Sequence, residues 1–313
     1  MKHHMIYGCM GLGGGWNRDP LQPEDEQKAF RAIETALESG YTRFDHADIY
    51  TFGKAEEVFG RYLQQHPGLR KDLFIQTKAG IIIGGGYNGS NHYNLSSEYL
   101  LEQAAQSLHR LQAEYLDVFL LHRPDPLLHP DEIAKAFATM KERGWARNFG
   151  VSNCSYGLFE RLEAACSFPL ICNQVQFSLG HSHLLDAMVD WNTGGAAKAF
   201  TGAGDTPLLW HEGLELQAWS ASDRGRFTVA PESAANADDK NVIELVARLA
   251  AKYDVQPIAI ILAWVLQSGR NIQPVFGSTH PERIRASAAA SSIQLTRAEW
   301  YDLWIAARGK SLP

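Results

Sequence analysis

Residues 115–122 read Tyr115-Leu116-Asp117-Val118-Phe119-Leu120-Leu121-His122 and are almost entirely apolar up to the final histidine. A strand that is covered on both faces has this near-continuous hydrophobic character, whereas a strand with one face in water alternates apolar and polar residues. Strands buried on both faces are typical of parallel sheets flanked by helices. The segment therefore predicts a parallel strand of an α/β fold, with a polar side chain at its carboxyl end.

The alternation of strand and helix extends in both directions from this segment. Short strand-like runs begin near residues 5, 41, 73, 115, 146, 171, 214 and 272, and segments with helical spacing of apolar residues lie between most of them. Eight βα units in 313 residues favour a closed (β/α)8 TIM barrel over an open doubly wound sheet. We predict a single α/β domain over residues 1–313, with an irregular insertion at residues 191–206, where Gly, Ala and Thr interrupt the pattern.

The composition argues against several classes of partner. The chain is 45% hydrophobic and 20% charged, and its formal net charge of −6 provides no basic surface for nucleic acid or membranes. The apolar runs are too short to span a bilayer, and no signal peptide is visible. The four cysteines show neither a CxxC pair nor zinc-site spacing. We expect a cytoplasmic protein without a metal site and without nucleic-acid or membrane partners.

A glycine-rich segment, residues 11–15, follows the first predicted strand and has to be compared with the dinucleotide-binding fingerprint. Its spacing does not fit G-x-G-x-x-G at the start of a helix, and no acidic residue ends a second strand about 20 residues later. A flexible loop at the end of a strand is the better interpretation.

Four polar residues lie at or just after the ends of predicted strands. Asp45, Lys78 and His122 end the second, third and fourth strands, and Tyr50 follows Asp45 in the same loop. Each residue alone has an ordinary structural interpretation, such as a solvated lysine or a core aromatic. Because barrel active sites are built at the carboxyl ends of the strands, their joint placement predicts one site.

The chemistry of these four side chains is that of proton delivery to a carbonyl oxygen. A tyrosine has a pKa of about 10, and a cationic Lys78 beside it would lower that pKa by stabilising the phenolate. Asp45 would hold Lys78 in place and keep it charged, while His122 would orient the carbonyl toward Tyr50. Since side chains cannot supply hydride, the set implies a nicotinamide cofactor.

Six motifs, in order along the chain, give it a resemblance to the aldo-keto reductases over nearly its whole length. They are FDHADIYTFG at residues 44–53, IQTK at 75–78, YLDVFLLHRP at 115–124, FGVSN at 149–153, NQVQFS at 173–178 and GSTHPERIR at 277–285. The resemblance, which is greatest to bacterial NADP-dependent members, implies a (β/α)8 barrel that reduces carbonyls. It also implies a catalytic tetrad of Asp45, Tyr50, Lys78 and His122.

The resemblance further implies contacts with NADP(H). Ser152, Asn153 and Gln174 match positions that bind the nicotinamide carboxamide, and Trp219 matches an aromatic residue that stacks on the ring, with a core tryptophan as the alternative. The other implied contacts are Ser220, Ser222 and Arg224 to the pyrophosphate, Gly277, Ser278, Thr279 and Arg283 around the 2′-phosphate, and Ser287 to adenine.

Two residues depart from the family pattern. Asp223 places an acid in the pyrophosphate loop, which is unfavourable unless it pairs with Arg224 or Arg226 or points away. Gly277 stands where many members carry a cofactor-binding lysine. Arg283 favours NADP(H), but the missing lysine leaves NAD(H) as an alternative.

The main functional hypothesis is the reversible reduction of small aldehydes or ketones to alcohols by a monomer or small homo-oligomer. Trp16 and Phe52 are the candidate substrate-pocket residues. One alternative is an NADPH-binding redox sensor or partner subunit with little turnover, which the intact tetrad disfavours. A second is a sugar-phosphate lyase or isomerase that uses Lys78 as a Schiff base, which the fold alone does not exclude.

Overall fold

The structure is a computed structural model that describes residues 5–191 and 203–313. Its strands are β1 (Ile6–Gly8), β2 (Arg43–Asp45), β3 (Phe74–Ala79), β4 (Ile81–Ile82), β5 (His92–Tyr93), β6 (Leu116–Leu121), β7 (Ala146–Ser152), β8 (Leu170–Gln176), β9 (Glu215–Trp219) and β10 (Ile272–Phe276). Its α-helices are α1 (Pro23–Glu38), α2 (Lys54–Gln65), α3 (Ser97–Leu111), α4 (Pro130–Glu142), α5 (Tyr156–Ala165), α6 (His183–Val189), α7 (Ala237–Tyr253), α8 (Pro257–Leu266), α9 (Pro281–Ala288) and α10 (Arg297–Arg308).

Eight of the strands form a closed barrel in the order β1, β2, β3, β6, β7, β8, β9 and β10. The predicted (β/α)8 fold is therefore confirmed. The remaining two strands, β4 and β5, pair with each other in an antiparallel hairpin within the loop after β3. The predicted insertion at residues 191–206 falls largely on residues 192–202, which lie outside the described residues, and a 3-10 helix follows at Ala203–Leu209.

The chain divides into two compact units. Of the described residues, we call 6–173 and 277–281 the N-terminal unit, and 5, 174–191, 203–276 and 282–313 the C-terminal unit. The predicted domain boundaries, one domain over residues 1–313, stay a prediction.

In the N-terminal unit, hydrogen-bonded neighbours bring three strand ends together. β2 pairs in parallel with β3, and β3 pairs in parallel with β6. All six residues of β6 are buried, as the apolar run predicts. Since parallel neighbours end at the same edge, this arrangement places the carboxyl ends of β2, β3 and β6 side by side.

In the C-terminal unit, helix α8 supplies the core. Its residues from Ala259 to Val265 are buried, and Trp264 stacks on Phe177 and Trp300 with ring centroids 5.7 Å and 5.3 Å apart. Over the described parts of the chain, no single helix is long and apolar enough to cross a membrane. Helices α7 and α8 meet that test of length and composition only as a pair bent by 94°.

Candidate active site

Lys78 and Asp45 form a buried ion pair at the adjoining ends of β3 and β2. The Nζ atom of Lys78 lies 2.7 Å from each carboxylate oxygen of Asp45 and donates to the backbone oxygen of His46 at 2.8 Å. Burial by itself lowers the pKa of Lys78, but the Asp45 carboxylate and the Tyr50 hydroxyl outweigh it and raise the net pKa above the ordinary value. Lys78 is therefore a fixed cation at neutral pH, in the orientation that the sequence predicts for it.

Tyr50 lies against this cation, which lowers the pKa of Tyr50 as the sequence predicts, but burial has a larger and opposite effect. Burial raises the pKa of Tyr50 to about 12, although Lys78 acts in the opposite, lowering direction. The sequence identified the attraction between Lys78 and the phenolate but not the larger desolvation of the hydroxyl. In this arrangement Tyr50 stays protonated at neutral pH.

His122 directly follows β6, and its ring centroid lies 6.1 Å from that of Tyr50, with the two planes nearly perpendicular at 83°. Burial, then Lys78 and Arg123, lower the pKa of His122 well below its ordinary value. The Nδ1 atom is buried and has no hydrogen-bond partner among the described residues. A neutral imidazole beside the phenol has one N–H to donate, so it can orient a carbonyl oxygen without competing as the acid.

The turn that carries Tyr50 has an unusual backbone. Thr51 and Phe52 have φ of 48° and 59°, in the left-handed region, and Gly53 follows at 89°. A hydrogen bond of 2.9 Å from the Thr51 hydroxyl to the backbone oxygen of Leu12 fixes the turn to the loop after β1. Such backbone conformations are disfavoured for β-branched and aromatic residues and persist only where the surrounding structure holds them.

The two predicted substrate-pocket residues lie together beside this turn. The Trp16 and Phe52 rings meet edge to face, with centroids 6.3 Å apart. Half of the Trp16 surface is exposed, and the Arg18 guanidinium lies 4.9 Å from the Phe52 centroid. These residues present an aromatic surface with an adjacent cation, beside the turn that carries Tyr50.

A comparison of the sequence with models of protein families shows which family contains this site. The model of the "Aldo/keto reductase family" matches residues 4–306. The chain is an aldo/keto reductase. The match covers the barrel strands and the four residues described above.

Relatives within the family include bacterial oxidoreductases. The chain is 32% identical over 286 residues to the uncharacterized oxidoreductase YcsN of Bacillus subtilis, covering 90% of this chain and 88% of that protein. It is 29% identical over 311 residues to 6-dehydroglucose reductase of Agrobacterium fabrum, covering 98% and 95%. The solved glycerol dehydrogenase AKR11B4 of Gluconobacter oxydans has a TM-score of 0.78 at 21% identity, covering 99% of this chain and 94% of that one, and supports the fold alone.

In the N-terminal unit of this aldo/keto reductase, the predicted cofactor residues form two short runs, one at the end of β7 and one ahead of α9. Asn153, at φ 59°, donates from Nδ2 to the Ser152 hydroxyl at 2.7 Å. Ser278 and Thr279 are half-buried ahead of α9. A Cβ on Gly277 would overlap the backbone oxygen of Gly8, so the family's lysine cannot stand there without moving β1. That close approach is a physical reason for this departure from the family pattern.

In the C-terminal unit, Gln174 donates from Nε2 to Gln217 at 2.9 Å, and Trp219 ends β9 half-buried rather than enclosed in a core. The loop after β9 has positive φ at Ser220 and Arg224. Oδ2 of Asp223 in this loop lies 3.5 Å from Nη1 of Arg226. This ion pair is one of the arrangements that would compensate the negative charge of Asp223.

The last two predicted cofactor contacts, Arg283 and Ser287, differ in how accessible their side chains are. Arg283 is exposed on α9 and forms no ion pair with a described residue. Ser287 is fully buried, and its hydroxyl donates to the backbone oxygen of Ile284 at 2.7 Å. The contact of Ser287 with adenine stays a prediction, and because the hydroxyl proton is donated to Ile284, the oxygen would act in it as an acceptor.

Three buried polar residues lie next to the tetrad. The sequence gives His46 and Asp48 structural or loop-shaping roles, and only Gln76 was missed. Gln76 donates to Asp45, Asp48 lies beside the buried Glu56, and His46 packs its ring on Phe59 at 4.8 Å. The available signal was the position of Gln76 two residues before Lys78, which puts both side chains on the same face of β3. Within the described residues no group of three or more His, Cys, Asp or Glu side chains could hold a metal ion.

Proposed function

We propose that this aldo/keto reductase reduces aldehydes or ketones to alcohols, reversibly, with NADPH and with Tyr50 as the proton donor. The observation that carries the proposal is the ion pair of Lys78 with both oxygens of Asp45, beside Tyr50. The family membership supports carbonyl reduction in general. A relative named 6-dehydroglucose reductase also acts, by its name, on a carbonyl compound.

The mechanism follows from how charge changes at Tyr50. Bound nicotinamide supplies hydride to the carbonyl carbon, and the oxygen then requires a proton. Tyr50 holds that proton at neutral pH because burial keeps its pKa high. As the proton leaves, Lys78 stabilises the developing phenolate, an attraction that is greater in the transition state than with the neutral phenol.

Asp45 and His122 support this transfer without donating the proton. Asp45 keeps Lys78 charged in a buried position, where an unpaired ammonium would lose its proton. His122, held neutral, donates a hydrogen bond that orients the substrate oxygen toward Tyr50. The same ion pair opposes the lyase alternative, because a Schiff base requires a neutral amine and Lys78 is held cationic.

The donor set fits a nicotinamide dinucleotide. In the N-terminal unit, Ser152, Asn153, Ser278 and Thr279 offer hydroxyl and amide groups, and Gly277 precedes Ser278 in the same loop. In the C-terminal unit, we propose Gln174 and Trp219 for the nicotinamide and Ser220, Ser222 and Arg224 for the pyrophosphate. Arg283, an exposed cation outside any ion pair with the described residues, is the proposed partner of a 2′-phosphate, which NADP carries and NAD lacks.

The experiment mixes the protein with NADPH and 4-nitrobenzaldehyde and follows absorbance at the nicotinamide band for wild type and Tyr50→Phe. We expect steady NADPH consumption by wild type and a loss of at least about a hundredfold in Tyr50→Phe, the usual contribution of a proton donor. NADPH binding should be retained in both. Equal rates would overturn the role of Tyr50, and binding without turnover by wild type would favour the redox-sensor alternative.

A second measurement tests the cofactor. The ratio of NADPH to NADH affinity is compared for wild type, Arg283→Ala and the control Arg285→Ala on the same helix. We expect only Arg283→Ala to lower the ratio, by about tenfold or more, the loss of one charge-assisted contact. An unchanged ratio would show that Arg283 does not recognise the 2′-phosphate.

A further inference from the structure

Gln76 lies in the middle of β3 and is completely buried. Its Nε2 atom donates to Oδ1 of Asp45 at 2.6 Å. In the sheet register, Gln76 is the direct partner of Asp45 on β2 and of Val118 on β6. A buried amide in the centre of a barrel strand loses its hydration, and this hydrogen bond to a carboxylate offsets that cost.

The alternation of side chains along β3 explains why Gln76 reaches this carboxylate. Residues two apart on a strand point to the same face, so Gln76 and Lys78 share one face and Thr77 takes the other. The contacts agree, because Gln76 and Lys78 both donate to Asp45, whereas the Thr77 hydroxyl donates to Glu56 of α2 at 2.5 Å. One face of β3 therefore carries two donors directed at a single acid.

We propose that Gln76 is a positioning residue. It holds the Asp45 carboxylate in the orientation in which both of its oxygens contact Nζ of Lys78, and so keeps the ammonium directed at Tyr50. The inference rests on the proposed function. Without the Gln76 amide, the carboxylate is freer to rotate about its χ2 bond and lose one of its two contacts with Nζ. The amide fixes Oδ1 from a second direction and, being neutral, adds no charge that would compete with Lys78.

The test compares Gln76→Leu, Gln76→Glu and the control Thr77→Val, which removes a buried hydrogen bond from the opposite face of the same strand. We expect Gln76→Leu to lower kcat for aldehyde reduction about tenfold, the loss of one hydrogen bond to a charged group, with the Kd for NADPH unchanged. Thr77→Val should lower Tm while leaving kcat and its pH profile as in wild type.

Gln76→Glu supplies a readout that a purely structural role would not produce. When protonated, the introduced carboxyl group donates to Asp45 as the amide does, whereas the ionised carboxylate repels it. We expect kcat of this variant to approach that of wild type toward low pH and to fall as pH rises, while wild type changes little. The titratable groups that interact with Asp45 or Lys78 include Tyr50, Cys9, His46, Asp48 and His122. All of them, and Lys78, are present in every variant.

The outcomes separate this inference from the proposed function. If wild type turns over NADPH, Tyr50→Phe does not, and both Gln76 variants match wild type at every pH, the positioning role is overturned and the proposed function stands. If wild type shows no Tyr50-dependent turnover, the proposed function itself fails. Should Gln76→Leu not fold, the pH profile of Gln76→Glu alone decides, and a profile parallel to that of wild type overturns the inference.

Discussion

The Nζ atom of Lys78 lies 5.0 Å from the centroid of the Tyr50 ring. The same atom contacts both oxygens of Asp45, so one buried cation joins an acid and a phenol. Burial of the hydroxyl raises the pKa of Tyr50 more than Lys78 lowers it, and the result is about 12. In the proposed mechanism, Tyr50 is thus protonated at rest, and the cation acts mainly on the phenolate that would form during the reaction.

This balance predicts opposite pH dependences for the two directions of the reaction. Reduction requires the phenol, which predominates below pH 12, so its rate should be nearly flat from pH 6 to 9 as far as Tyr50 is concerned. Alcohol oxidation requires the phenolate, so its rate should rise by about tenfold per pH unit from pH 7 to 10. Initial rates at saturating alcohol and NADP measure this, with Tyr50→Phe as the inactive control. A flat oxidation profile would contradict the assignment of Tyr50.

A second titration concerns stability rather than catalysis. Burial, then Glu56, raise the pKa of Asp48 from 3.8 to about 8, while Arg110 lowers it. The folded state therefore holds the Asp48 proton more tightly than the unfolded chain does. The stability gained from that proton is complete below the unfolded pKa and is lost as pH rises toward 8.

Asp48→Asn removes this dependence because asparagine never ionises. We expect the variant to gain stability relative to wild type between pH 5 and 9, reaching on the order of a few kcal/mol. Urea unfolding at several pH values measures the difference, and Asp131→Asn, an exposed acid on α4, should show none of it. Parallel curves for Asp48→Asn and wild type would rule the buried titration out.

The sequence predicts the features of this site that follow from where the strands end, but not those that depend on the environment in the folded chain. Asp45, Lys78 and His122 could be placed together because parallel strands of a barrel end at one edge, and the apolar runs mark those ends. The family motifs add the predicted cofactor positions. The net pKa of Tyr50 could not be predicted, because the opposing effects depend on how much water the folded chain removes from the hydroxyl.

Two other features of the site could not be predicted from the residue types. The positive φ angles at Thr51 and Phe52 could not be predicted, because threonine and phenylalanine both disfavour that conformation. The hydrogen bond of Gln76 to Asp45 requires the register of β2 and β3, which a single sequence does not provide. The helices are easier to predict, because their caps depend on residues that are close in sequence. An example is the capping box that Thr296 and Glu299 form at the start of α10.

A third prediction uses the histidine beside Asp45. His46 is fully buried, neither ring nitrogen has a hydrogen-bond partner among the described residues, and burial and Lys78 lower its pKa to about 3. A lowered histidine pKa means that the unfolded chain binds the proton more readily. Its contribution to stability is therefore complete above about pH 6.5 and is lost as pH falls toward 3.

His46→Leu should consequently resist acid better than wild type. The substitution removes no hydrogen bond of the ring made within the described structure and keeps an apolar contact with Phe59. We expect equal or greater stability at pH 7 and a lower midpoint pH of acid unfolding, followed by circular dichroism. An unchanged midpoint would mean that other groups govern acid unfolding.

The final prediction concerns the contact between the loop after β1 and the turn that carries Tyr50. Gly13 has φ of 80°, and a Cβ there would lie 2.7 Å from the backbone carbon of Lys54. Gly68 has φ of 91° with nothing within 4 Å of the same position. Alanine at either site incurs the strain of positive φ, about 1 kcal/mol, but only Gly13→Ala must also displace Lys54.

We therefore expect both alanine variants to lower Tm slightly and only Gly13→Ala to lower kcat. The displaced turn holds Tyr50 through the bond from Thr51 to Leu12, and small shifts of a positioned donor reduce the rate steeply. Paired measurement of Tm and kcat for the two variants separates backbone strain from displacement of the donor. If Gly13→Ala and Gly68→Ala lose activity equally, or not at all, the loop after β1 does not hold Tyr50 in place.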